Sequence, residues 1–102
     1  MLTVVLPQLV AGRDLADAMV DRLDRDVRGE TVVLDCRGLV SGSPSFASQI
    51  VHRVLAEGGA RALVVVGAPA RFAKYVTDSA SALGVAARLD LAGSMPVEAA
   101  SA

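Results

Sequence analysis

The stretch VVLDCRGLVSGSPSFASQIVHRVL, residues 32–55, gathers a carboxylate (Asp35), a thiol (Cys36), hydroxyls at Ser41, Ser43, Ser45 and Ser48, and the one histidine, His52. Nucleophilic catalysis by Ser45 would need a base within hydrogen-bond reach. On a shared helix His52 stands roughly 10 Å further along at 1.5 Å per residue. That is too far for proton transfer, and His52 reads as a surface residue of a helix. Cys36 would be a thiolate only if something lowered its pKa; as a buried thiol it is inert. Asp35 closes a strand, where open α/β sheets place ligand groups. A phospho-acceptor aspartate wants further acids after the first strand to hold magnesium, and TVVLPQLV has none. GLVSGSPS lacks the lysine of a phosphate-binding loop, and VVVGAPARF has a single glycine. A small anion resting on SGSPS or GAPAR would have Arg71 at hand. These residues argue against an enzyme and call for no cofactor.

The serine turn has a plain structural explanation in part. Ser43 is a good helix N-cap, Pro44 suits the first helical position because its missing N–H would be unpaired there, and Gly42 frees the backbone to turn. Ser45 then falls at the second helical position, where capping needs no hydroxyl. A phosphate bound or attached there would meet the unpaired amides and positive end of the helix. Equally, it reads as a solvated polar residue of the first turn.

The elements that position this turn follow from periodicity. LTVVL, residues 2–6, is a short strand stopped by Pro7. From Gly12 the apolar residues Leu15, Ala16, Met19, Val20, Leu23 and Val27 recur at helical spacing, with Asp14, Asp17, Asp21, Arg22, Asp24 and Arg25 on the opposite side, up to Gly29. TVVLD, 31–35, is a strand of the kind covered on both faces. A helix follows the serine turn, with Phe46, Ala47, Ile50, Val51, Val54 and Leu55 as its apolar stripe and Gly58–Gly59 as its stop. ALVVVG, 62–67, is a third strand. Pro69 opens a third helix through Phe72, Ala73, Val76, Ala80 and Leu83, closed by Gly84, and VAARL is a weak last strand.

The order β-α-β-α-β-α-β implies a single α/β domain with a mostly parallel or mixed four-stranded sheet and covering helices. The two all-apolar strands belong inside it. The domain is expected over 1–90, with a flexible tail over 91–102. With 102 residues the chain suffices for one core, and 3% aromatic residues leave Ala, Val and Leu to fill it. A formal charge of −1 without a basic run argues against nucleic acid. The apolar start ends at Pro7, far short of a membrane span of ~20 residues. Cys36 alone offers neither a disulfide nor a zinc site, so no metal is expected and a cytoplasmic location is. An exposed first or last strand leaves a homodimer open.

The segment VVLDCRGLVSGSPSFASQIV resembles the central part of STAS-type domains, the anti-sigma factor antagonist fold, and in particular the STAS-like domains of unknown function. There, a strand ending in aspartate leads to a Gly-Val-like pair, a short turn, a serine and the first turn of a helix; Asp35, Gly38, Leu39 and Ser45 match that order. AGRDLADAM is similar to the preceding helix, and the likeness runs to about Gly84. Two positions differ from the family pattern: Ser43 stands where an acid is common, and Phe46 where a glycine follows the serine. The resemblance implies a non-enzymatic interaction domain of bacterial signalling, working by partner switching, with Ser45 as the serine that an ATPase kinase phosphorylates. Its partner would be a histidine-kinase-like ATPase or an anti-sigma factor. The contact surface would comprise Val40, Ser41, Gly42, Ser43, Ser45 and Gln49. The alternative is a small-molecule or nucleotide-binding module that uses the helix N-terminus at Gly42–Ser45.

Overall fold

Alternating side chains fix which way the sheet faces. Leu2 and Val4, Val32 and Leu34, and Leu63 and Val65 are all buried, whereas their neighbours along each strand are half-exposed or exposed. The computed structural model describes residues 1–92, and within them these positions lie on strands β1 (Leu2–Val5), β3 (Thr31–Asp35) and β5 (Ala62–Val66). A two-residue strand β6 (Leu89–Asp90) completes a sheet in the order β1-β3-β5-β6, parallel throughout. The two apolar strands β3 and β5 are central, as their composition requires. A second, two-stranded parallel ladder joins β2 (Leu9–Val10) to β4 (Ser41–Gly42).

The helices are α1 (Arg13–Asp21), α2 (Pro44–Val51) and α3 (Ala70–Ala82), and α2 runs on into a wider π-helical turn, His52–Ala56. Each βα crossover joins neighbouring strands; the usual right-handed connection then sets all three helices on one face. Accordingly α1 packs on α2 and α2 on α3. Among the described residues the helices cover one face of TVVLD, where two covered faces were expected. Its other face, with Val33 and Asp35 beside Val5, Val64 and Val66, carries no helix among the described residues.

Between the helix layer and the sheet lies one contiguous apolar core, mostly Val, Leu and Ala. Its two largest side chains, Phe46 and Phe72, meet with ring centroids 6.2 Å apart. Phe46 comes from the first turn of α2 and Phe72 from that of α3, so the aromatic contact fixes the two helix starts against each other. That places the serine turn beside the Phe46–Phe72 contact.

Three sequence expectations change at element ends. The first helix stops at Asp21 although its apolar period continues to Val27: the Leu23 N–H bonds to the Val20 carbonyl at 3.1 Å, three residues back, and further on the Asp26 carboxylate accepts from the Arg28 backbone N–H at 3.0 Å in a local turn. Val27 is buried all the same. VAARL is mostly a tight 3₁₀ turn over Ala86–Arg88. There the Arg88 guanidinium donates to the carbonyls of Ala60 (2.8 Å) and Leu55 (3.0 Å), which ties the 3₁₀ turn to the π-helical turn and the loop after it and leaves only Leu89–Asp90 to pair. Ser41 and Gly42, expected as turn, form β4. The tail expected over 91–102 lies, from Gly93 onward, outside the described residues.

Candidate partner-binding site

Ser43 is the centre of the serine turn. Its backbone is extended (φ −81°, ψ 156°), and its Oγ accepts from the Phe46 N–H at 3.1 Å, which caps α2; Pro44 follows at the first helical position. The same Oγ accepts from the Gly12 N–H at 3.1 Å. Gly12 is the N-cap of α1 with φ +87°, a conformation glycine adopts without a Cβ clash. One hydroxyl therefore ties the starts of two helices. The Oγ of Ser45 lies 3.1 Å from that of Ser43, and Ser45 is half-buried.

The β2–β4 ladder holds the turn from the other side. Val40 and Ser41 both donate their N–H to the Gln8 carbonyl, at 2.8 and 3.1 Å, and Ser43 donates to that of Val10 at 3.0 Å. Gly42 lies against Phe72, where an added Cβ would come within 2.5 Å of the ring. Glycine is thus favoured there by close approach and not by a turn, since Gly42 lies in β4 without a positive φ. Val40 is 71% exposed and Leu9, opposite Ser41, is 65% exposed. Leu9 belongs to β2, and Val40 directly precedes β4, held by its bond to Gln8; both are large apolar residues near the serines. Leu9 was not among the residues expected at the site: two residues are too short for an alternation to show in the sequence.

Gln49, one turn beyond Ser45, is engaged at both ends of its amide. Its Oε1 accepts from Arg13 at 3.0 Å and its Nε2 donates to Asp17 at 2.8 Å. Asp17 also accepts from Arg53 at 2.8 Å, and Arg53 reaches Asp21 and Glu57. The hydrogen bonds from Gln49 and then Arg53 hold the Asp17 carboxyl below its ordinary range. Gln49 thus belongs to the polar seam between α1 and α2 as well as to the exposed side of α2.

The groups considered for catalysis are dispersed. Asp35 is gripped by Arg37, whose Nε and second guanidinium nitrogen donate at 3.0 and 2.8 Å while its backbone N–H donates at 3.1 Å. The Arg37 side chain first, and its backbone second, draw the carboxyl down to about 2. Such a carboxylate is a poor base. Cys36 is buried and donates to the Leu34 carbonyl, and desolvation, with the nearby Asp35 charge, pushes its thiol up to about 12. His52 begins the π-helical turn and lines an open cleft of about 800 Å³ with Val20, Leu23, Arg28 and Arg53, away from Ser45. Arg71 is exposed and, with Val40, Pro69 and Phe72, bounds a small cavity of about 190 Å³ beside Gly42. Among the described residues no group of three His, Cys, Asp or Glu is placed to hold a metal ion, and no helix is long and apolar enough to cross a membrane. Compared with protein-family models, curated proteins and solved structures, the chain matches none.

Proposed function

We propose that this chain is a protein-interaction module of bacterial signalling, similar to the STAS-type anti-sigma factor antagonists, whose binding is switched off by phosphorylation of Ser45. The observation that carries this reading is the pairing of exposed apolar side chains, Leu9 and Val40, with the serines of a rigidly capped helix start. Exposed apolar residues rimmed by polar ones suit a protein partner. The partner is a histidine-kinase-like ATPase or an anti-sigma factor, and it covers Leu9, Val40, Ser41 and Ser45 together with the open side of α2. A phosphate on Ser45 adds close to two negative charges in the middle of that contact, so a surface fitted to a neutral hydroxyl is repelled and left desolvated.

The rival reading, a ligand-binding module at Gly42–Ser45, has less support. The cavity beside Gly42 is about 190 Å³, below the ~300 Å³ at which small-molecule pockets begin. The test is affinity capture with the tagged chain from a bacterial lysate, followed by binding measurements on the captured ATPase or anti-sigma factor. Ser45→Asp and Val40→Asp should each weaken that complex by about tenfold or more, roughly 1.4 kcal/mol. A Ser45→Asp chain that binds as tightly as the wild type would refute the switch. A ligand-dependent rise in melting temperature with no protein captured would favour the rival.

A further inference from the structure

The Ser43 oxygen has three polar neighbours at 3.1 Å: the amides of Gly12 and Phe46 and the hydroxyl of Ser45. A hydroxyl offers two lone pairs and one proton. The amides can only donate, so they occupy both lone pairs, and the Ser43 proton must go to Ser45 Oγ. Ser45 consequently accepts from Ser43 and directs its own proton elsewhere. The direction of every bond at this junction is thereby set by the two backbone donors.

We infer that Ser43 is a positioning residue that carries the modification state of Ser45 to the start of α1; this rests on the reading of Ser45 as the modified side chain. Phosphorylation forms a bond from Ser45 Oγ to the γ-phosphorus of a nucleoside triphosphate. The bond from that phosphorus to the departing nucleoside diphosphate breaks, and the Ser45 proton passes to solvent. The terminal phosphate oxygens are stronger acceptors than the hydroxyl they replace. The Ser43 proton turns to them and draws its oxygen with it, and that oxygen is also the acceptor of the Gly12 N–H. Gly12 begins α1, and the next residue, Arg13, holds Gln49. A change at Ser45 is therefore felt on a second helix that Ser45 itself does not touch through any hydrogen bond given by the structure.

The experiment is heteronuclear NMR of the full chain carrying phosphoserine at position 45, incorporated during synthesis so that neither kinase nor partner is needed. The Gly12 amide should shift between the unmodified and phosphorylated chains by more than any amide outside residues 8–14 and 40–49. Ser43→Thr, which keeps the hydroxyl, should retain that shift, and Ser43→Ala should lose it. A Gly12 amide that does not respond in the wild type overturns the inference, as does an equal response in Ser43→Ala. If Ser43→Ala does not fold, the wild type and Ser43→Thr decide: both must shift. A chain in which Gly12 responds but no cellular kinase modifies Ser45 upholds the coupling and refutes the switch. A modified Ser45 with a silent Gly12 does the reverse.

Discussion

Replacing Ser43 by alanine removes one oxygen and orphans two amides. Loss of a serine N-cap costs about 1 kcal/mol, within a range of roughly 0.5–2, and this covers the Phe46 N–H. The Gly12 N–H is a separate donor on another helix, part-buried at the junction. Leaving such a group without its acceptor costs about 1 kcal/mol more where water reaches it poorly. The expected loss for Ser43→Ala is therefore about 2 kcal/mol, on the order of 10 °C in Tm for a domain of this size. Ser43→Gly separates the two contributions, because glycine is tolerated at an N-cap with a loss of only a few tenths of a kcal/mol while the Gly12 amide is orphaned equally. It should fall between the wild type and Ser43→Ala, and Ser43→Thr should stay close to the wild type. Urea unfolding followed by circular dichroism measures all four chains. A Ser43→Ala loss below about 0.5 kcal/mol, the floor for a cap alone, would refute the account of Ser43 as a clasp between two helices.

Gly42→Ala should destabilise by about 1–3 kcal/mol, the usual range for overpacking. The added Cβ would sit 2.5 Å from the buried Phe72 ring, and a midpoint equal to wild type would show that the ring yields freely. The Asp35 carboxyl is held down from 3.8 to about 2 by Arg37, so its pairing adds stability above its unfolded pKa and loses it as pH falls through the folded one. Urea midpoints of wild type and Asp35→Asn should accordingly converge between pH 4 and pH 2, and a gap that is constant with pH would contradict the pairing. Cys36, buried with its thiol raised to about 12, should resist an aromatic disulfide reagent at pH 8 in the folded chain and react at once in denaturant. Rapid modification of the folded chain would place that thiol at the surface.

Long periodic runs and punctuating residues made most of the fold legible. The stripe from Phe46 to Leu55 and the runs TVVLD and ALVVVG each contain enough positions for the period to identify the element. Ser43 and Pro44 marked the start of α2 to the residue, because capping is a local contest that two side chains decide. Elements set by distant partners were hidden. Leu9–Val10 and Ser41–Gly42 are strands only because they pair with each other. VAARL gave up its strand because Arg88 reaches the carbonyls of Leu55 and Ala60. That the described helices lie on one side of the sheet was not legible, because an apolar run records how hydrophobic a strand is, while the side on which helices lie follows from chain handedness and strand order. At the serine turn, the capping role of Ser43 was legible from its place before Pro44. The role of Gly12 was not, since it depends on an acceptor far away in sequence.

The strand order β1-β3-β5-β6 bears on how such a chain is assembled during synthesis. Each strand pairs with the β-strand of the main sheet made just before it, across a separation of roughly 30 residues, the length of one βαβ unit. As the polypeptide leaves the ribosome, every new unit finds its docking edge already present, and no earlier strand must be prised apart to admit a later one. The first two units bring Gly12 and Ser43 out together, so the clasp at the serine turn can close before α3 exists. Phe72 then arrives to seat its ring against Gly42 and Phe46, and the end of the domain that carries the serine turn is completed by the third helix to be made.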